Sequence, residues 1–98
     1  MTITKSSEGS ALTLVVAGRL DTSTAPQLEA ELKQSIEGVT NLVFDFTDLD
    51  YLSSAGLRVL LSAQKIMNKQ GEMVVRNVND TIREVFDITG FAELLTIE

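Results

Sequence analysis

Two adjacent serines, Ser53 and Ser54, stand directly before Ala55 and Gly56 at the start of a predicted helix. The first N–H groups of a helix have no intrahelical partner and carry a partial positive charge. One serine is expected to cap this helix, and the same N–H groups would accommodate a phosphate on a first-turn hydroxyl. Because Ala55 and Gly56 are small, the sequence predicts an accessible site for a docking protein. Gly56 is expected to leave the approach of that protein unobstructed.

A second group of residues with possible chemistry is acidic. Asp45, Asp48 and Asp50 surround the end of a predicted strand, as in the Mg²⁺ pocket of a phosphoacceptor domain. Such a receiver domain needs paired acids after its first strand and a lysine at the end of a late strand. Here the first clear strand ends with one acid, Asp21, and the late strand at 73–77 has no lysine. The sequence therefore favours solvated loop acids, predicts no metal site, and assigns Asp21 to a cap or turn.

Polar residues also follow one face of the predicted helix, at spacings of three and four: Arg58, Ser62, Lys65 and Lys69. This pattern is typical of a solvated helix face, which is the favoured interpretation. The alternative is a basic edge that binds an acidic partner.

Several classes of enzyme are excluded because the chain has no Cys and no His. It cannot form a thiolate zinc site, a cysteine nucleophile, a Ser-His-Asp triad or an imidazole general base. A serine hydrolase that used Ser54 with Lys65 as its base is disfavoured, since about three helical turns would separate the two residues. A Gly-rich phosphate loop is also absent. We expect a protein that is not an enzyme and needs no cofactor.

The length and charge of the chain limit its domain count and the kinds of partner it can bind. The 98 residues support one core, so we expect a single domain over 1–98. The formal net charge of −6 argues against nucleic acid or anionic membrane as a partner. The apolar runs are too short to span a membrane, and residues 1–5 lack the apolar region of a signal peptide. The expected location is the cytoplasm.

The elements that must position these residues follow from hydrophobic periodicity. Strands are predicted at 2–7, 12–17 (ended by Gly18), 41–46 and 72–77. Helices are predicted from Pro26 to Gly38, from Ser54 to about Gln70, and from an Asn79 cap to Thr89. Residues 47–50 are expected to form a loop, and 91–97 a final apolar segment or strand. This order predicts an α/β fold, a mixed four- to five-stranded sheet with three helices mainly on one face.

Three motifs in this order resemble the STAS domain family, specifically its stand-alone anti-sigma factor antagonists. Leu52–Leu57 resembles the family's Asp/Ser-Ser-Ser/Thr/Ala-Gly-Leu signature at the start of the second helix. Gly18–Asp21 is similar to the family's Gly-x-Leu-Asp before the first helix, and Arg83–Phe91 is similar to its last helix and exit. The resemblance covers essentially the whole chain.

The resemblance implies a binding module whose partner is an anti-sigma factor serine kinase of histidine-kinase-like ATPase fold. The unphosphorylated module would hold the kinase and free the sigma factor, and a PP2C-type phosphatase would reverse phosphorylation. Matching back from Gly56 places the phosphoserine on Ser54, with Ser53, where the family often has Asp, as the second candidate. The implied partner-binding residues are Asp21, Thr22, Ser23, Ser53, Ser54, Ala55, Gly56, Leu57 and Arg58. The alternative is a constitutive scaffold or sensory STAS module that phosphorylation does not regulate.

Overall fold

The computed structural model describes residues 1–98 as a five-stranded sheet with three α-helices. The strands are β1 (Thr2–Glu8), β2 (Ala11–Leu20), β3 (Asn41–Asp45), β4 (Leu49–Leu52) and β5 (Glu72–Arg76). The helices are α1 (Ala25–Ser35), α2 (Ser54–Gln70) and α3 (Asp80–Thr89), and a short 3-10 helix follows at Phe91–Glu93. The α/β fold class predicted from the sequence is confirmed.

The sheet is mixed, and β2 is its central strand. β1 pairs with β2 antiparallel, while β3 and β5 continue the sheet in parallel, in the order β1-β2-β3-β5. β4 pairs in parallel with the last residues of β2, so that Arg19 lies beside Tyr51 and Leu20 beside Leu52. Both strands therefore end at the same edge of the sheet, and α1 and α2 both begin there.

The strand β4 corrects the sequence prediction, which placed a loop at 47–50 and ended β2 at Gly18. β2 instead continues past Gly18 to Leu20, and its register with β4 shifts between Gly18 and Arg19, which leaves Asp50 of β4 without a partner residue. Gly18 has a φ of 91°, and its N–H donates to the carbonyl of Asp48 at 2.9 Å. Residues 49–52 have two exposed residues between two buried ones, which is not the period-2 alternation that predicts a strand.

One face of the sheet carries the core. Two rows of buried side chains cross the strands β2, β3 and β5 on this face. The first row is Leu12, Leu42 and Met73, and the second, two residues further along each strand, is Leu14, Phe44 and Val75. The helices contribute to the same core, which is one cluster of 24 buried residues. The residues of opposite parity, such as Val43 and Val74, are only half-buried. This arrangement matches helices mainly on one face.

The last third of the chain follows the prediction closely. Asn79 caps α3, since its side-chain Oδ1 accepts from the Ile82 N–H at 2.8 Å. Gly90 ends α3 with a left-handed φ of 78°. The final segment is a 3-10 helix followed by a single bridge between Ile97 and Val75, so it is not a full strand. None of the helices has both the length and the apolar character needed to cross a membrane.

Candidate docking and phosphorylation site

The site is built where β2 and β4 end. The Ser53 N–H donates to the Leu20 carbonyl at 2.9 Å, which extends the parallel pairing by one residue. Asp21 follows Leu20 directly, so Asp21 and Ser53 leave neighbouring strands at one edge. The topology therefore brings the loop before α1 and the first turn of α2 to one surface.

The two serines differ in their surroundings. Ser53 is the N-cap residue of α2, but its side chain makes no capping hydrogen bond. Its Oγ is buried and has no hydrogen-bond partner, which corrects the expectation that one of the two hydroxyls caps the helix. Ser54, the first residue of α2, is exposed. Of the two serines, Ser54 has the more accessible side chain.

The first turn of α2 offers free backbone donors. The first hydrogen bond of the helix runs from the Leu57 N–H to the Ser53 carbonyl at 3.0 Å. No hydrogen bond within the protein uses the N–H groups of Ser54, Ala55 and Gly56. Since α2 is 17 residues long, these donors lie at the positive end of a substantial helix dipole. The environment suits a negative group on Ser54.

Gly56 and Leu57 face the interior and not a partner. Gly56 is buried, and a Cβ on it would lie 2.7 Å from both Leu20 Cγ and Leu52 Cδ1. Leu57 is 3% exposed. The prediction that Gly56 opens the approach for a partner is therefore wrong: its role is to let α2 pack closely on β2 and β4. Ser54, Ala55 and Arg58 form the accessible part of this turn.

Asp21 organises the loop before α1. Its Oδ1 accepts from the Ser23 hydroxyl at 2.8 Å and from the Ser23 and Thr24 N–H groups at 3.0 and 3.1 Å. Its backbone carbonyl accepts from the Ala25 N–H. The hydrogen bond from the Ser23 hydroxyl is the main cause that holds the pKa of Asp21 below its ordinary value. Asp21 is thus a charged turn residue, and Thr22 and Ser23 are exposed beside it.

A shallow groove joins the two loops into one surface. It has a volume of about 240 Å³ and lies between the beginnings of α1 and α2. Thr22 and Pro26 line it from the α1 side, and Ala55 and Arg58 line it from the α2 side. Residues predicted from two separate motifs therefore share one accessible surface.

Sequence reasoning missed an exposed pair next to this surface. The Arg19 guanidinium lies 4.1 Å from the centre of the Tyr51 ring, and its Nε lies 3.6 Å from Asp21 Oδ2. Tyr51 is 41% exposed, which is unusual for an aromatic side chain on a strand. The pair becomes visible only when β4 is recognised, because Arg19 and Tyr51 meet through the register of β2 and β4.

The other acids do not converge on the site. Asp48 and Asp50 are exposed, whereas Asp45 has a structural role at the end of β3. Asp45 Oδ1 accepts from the Thr47 hydroxyl at 2.6 Å and from Asn77 Nδ2 at 3.0 Å. These bonds, the one from Thr47 first, hold the pKa of Asp45 below its ordinary value. Asp45 therefore ties the ends of β3 and β5 together.

We expect Asp45→Asn to destabilise the protein by about 1 kcal/mol near neutral pH, because hydrogen bonds to a charged acceptor are lost. A carboxyl whose pKa is lowered on folding contributes stability above its unfolded pKa, and this contribution is lost as the pH falls through the folded pKa. The difference between Asp45→Asn and the parent should therefore shrink in acid, below the ordinary value of 3.8. Urea unfolding of both proteins, at neutral pH and in acid, measures this difference in the free energy of unfolding.

The control for this prediction is Asp48→Asn, which changes an exposed carboxylate in the loop after β3, where the side-chain hydrogen bonds are accepted by Asp45. It should leave the free energy of unfolding within about 0.5 kcal/mol of the parent. An Asp45→Asn variant whose deficit stays constant with pH would contradict the assigned role.

The fold and this surface together define a small α/β domain with one accessible surface at the beginnings of α1 and α2. The chain belongs to the STAS domain family, whose model matches residues 2–98.

Its relatives carry consistent names. The chain is 43% identical over 82 residues to BtrV of Bordetella bronchiseptica, whose name describes a candidate anti-sigma factor antagonist; the match covers 82% of this chain and 71% of that protein. It is 31% identical over 83 residues to the anti-sigma-B factor antagonist of Bacillus subtilis, with 84% and 76% covered.

Solved structures agree on the fold. SpoIIAA, an anti-sigma factor antagonist, matches in its unphosphorylated form with a TM-score of 0.85 and 20% identity, over 99% of this chain and 88% of that one. SpoIIAA in its phosphorylated form matches with a TM-score of 0.77, also at 20% identity, over 99% and 91%. An anti-sigma factor antagonist from Mycobacterium paratuberculosis matches with a TM-score of 0.88 and 23% identity, over 98% and 83%.

Proposed function

We propose that the protein is a cytoplasmic anti-sigma factor antagonist regulated by phosphorylation of Ser54. In the unmodified state it binds an anti-sigma factor serine kinase of histidine-kinase-like ATPase fold, and the sigma factor is freed. Phosphorylation of Ser54 releases the kinase, and a PP2C-type phosphatase restores the hydroxyl. The names of the relatives support the first part of this proposal.

The observation that carries the proposal is the position of Ser54. Its side chain is exposed at the first residue of a long helix, beside three backbone N–H groups without acceptors. The groove that includes Ala55 and Arg58 starts next to Ser54. A protein that binds at the Ser54 hydroxyl therefore also contacts the beginnings of α1 and α2. Ser53 is disfavoured as the acceptor because its Oγ is buried.

The chemistry requires little from this chain. The Ser54 oxygen attacks the γ-phosphorus of ATP bound to the kinase, the new P–O bond forms, and the bond to the bridging oxygen breaks to release ADP. The hydroxyl proton passes to a base of the kinase, because no side chain of this protein accepts a hydrogen bond from the Ser54 hydroxyl. The phosphatase reverses the modification with water, which breaks the same P–O bond and releases inorganic phosphate. The protein is a substrate and a ligand, not an enzyme.

The test is phosphorylation by the anti-sigma factor kinase encoded in the same genome, with the site mapped by mass spectrometry. We expect one phosphate, on Ser54. Ser54→Ala should abolish incorporation and keep kinase binding, whereas the matched control Ser53→Ala should still be phosphorylated. A phosphate found on Ser53 or elsewhere would overturn the site assignment. Kinase binding with no phosphate incorporated at all would favour the constitutive scaffold.

A further inference from the structure

The exposed face of α2 has a charge opposite to that of the whole chain. α2 contains three cationic residues and no acidic one, while the net charge of the chain is −6. Arg58, Lys65 and Lys69 are all exposed, and none of them takes part in an ion pair. With Ser62 they lie on one side of the helix, at spacings of three and four residues. We call this face the basic stripe.

An apolar groove runs beside the basic stripe, between α1 and α2. Its apolar lining is Leu32 and Ile36 from α1 and Val59, Ala63 and Ile66 from α2. Its polar lining is Glu29, Lys33 and Ser62. Ile66 is 42% exposed, so an aliphatic side chain that interior packing would normally cover remains in contact with solvent. This groove shares Glu29, Val59 and Ser62 with the groove near Ser54, so the two are continuous.

The dimensions of the groove indicate its occupant. Its volume of about 180 Å³ is smaller than the roughly 300 Å³ at which pockets for organic ligands begin. It has room for one or two aliphatic side chains. The basic stripe extends from residue 58 to residue 69, about 16 Å along the helix, which matches about three turns of a partner helix.

We propose that this groove and the basic stripe bind an amphipathic acidic helix of a partner protein. The apolar face of that helix places an aliphatic side chain against Ile66, and its flanking Asp or Glu side chains face Arg58, Lys65 and Lys69. On the α1 side of the groove Lys33 is paired with Glu29 at 3.1 Å, so that side carries no net charge and the carboxylates of the partner face the basic stripe. The surface begins in the second turn of α2 and continues the groove near Ser54 toward the end of the helix.

A protein helix fits these observations better than a lipid surface or nucleic acid. Those polyanions present many charges over a wide area, and a chain with a net charge of −6 repels them outside this one helix face. An acidic helix places only a few carboxylates along one line. The apolar groove, which a phosphate backbone would leave unfilled, adds the selectivity for a helix.

The probe is a pair of synthetic helical peptides of about 15 residues, each with leucines along one face. One has glutamates on both flanks, and the other has lysines at the same positions. We expect the acidic peptide to bind about tenfold more tightly or better, to shift the amide NMR signals of residues lining the groove, and to weaken as salt increases. Equal binding of both peptides, or shifts outside the α1–α2 groove, would overturn the proposal.

Two variants separate the charge from the apolar contribution. Lys65→Glu with Lys69→Glu should weaken the acidic peptide about tenfold and favour the lysine peptide, and Ile66→Asp should weaken both peptides. The matched control is Arg83→Glu with Ile88→Asp, which makes the same kinds of change at exposed positions of α3 and should change nothing. Binding of the protein to vesicles of anionic lipid in preference to the acidic peptide would also contradict the inference. All of these measurements are made on unphosphorylated protein, so they stand whether or not Ser54 is a phosphorylation site.

Discussion

Protein phosphorylated on Ser54 is expected to bind its anti-sigma factor about 10⁴-fold more weakly than unmodified protein, a difference of about 5.5 kcal/mol. This is the differential affinity needed to move a complex from nearly full to nearly empty. A phosphoserine carries about −1.5 to −2 charges near neutral pH. Within an interface, such a group must be paired or must lose its hydration at high cost.

The surroundings of Ser54 favour release over a change of fold. The free N–H groups of the first turn of α2 accommodate the anion, so the domain itself can stay folded. The anion adds to the charge of Asp21, which its turn hydrogen bonds keep ionised. The surface that met the partner with an uncharged hydroxyl gains nearly two negative charges, and a partner fitted to the hydroxyl has no group to pair with them.

Calorimetry or surface plasmon resonance with the unmodified, phosphorylated and Ser54→Ala proteins measures this change. Ser54→Ala should bind within a few-fold of the parent, because the removed hydroxyl is exposed. Ser54→Asp and Ser54→Glu should fall between the two, since each carries one charge in place of nearly two. Equal affinity of the phosphorylated and unmodified proteins would refute the regulation and leave the family assignment intact.

Much of the fold could be predicted because local periodicity determines it. The alternation in β2 and β3 and the spacing of apolar residues in α2 and α3 gave their positions to within a few residues. β4 was missed because it is defined by its pairing with the end of β2, about 30 residues earlier in the chain, and because that pairing shifts register at Asp50. Its four residues have no periodic pattern of their own.

In the candidate site, too, the features set by local sequence could be predicted, and those set by long-range packing could not. The exposed Ser54 at a helix start follows from the local sequence Ser53–Gly56, and the structure agrees. The inward orientation of Gly56 and the contact between Arg19 and Tyr51 both depend on how closely α2 and β4 approach β2. Sequence alone cannot give these distances. Likewise, Ser53 has the residue type of a cap, but its backbone is fixed by Leu20 and its hydroxyl points to no acceptor.

The largest expected effect on stability comes from Gly71→Ala, which should cost about 3 kcal/mol. A Cβ on Gly71 would lie 2.0 Å from the Thr40 carbonyl oxygen and 2.8 Å from the Thr40 carbonyl carbon. The neighbouring Glu72 N–H donates to that same oxygen at 2.9 Å, so the contact cannot relax without loss of a backbone hydrogen bond. For a domain of this size, the melting temperature should fall by about 12–24 °C.

Thr40 cannot easily move away, because it is fixed from the other side as well. Its N–H donates to the Ser10 carbonyl at 2.9 Å, and the Thr40 and Ser10 hydroxyls are 2.7 Å apart. The matched control is Gly38→Ala, where a Cβ meets nothing within 4 Å but the φ of 78° is unfavourable. That variant should cost only about 1–2 kcal/mol. Thermal and urea unfolding of the two variants compares them, and a Gly71→Ala protein as stable as Gly38→Ala would show that the end of α2 is not locked against Thr40.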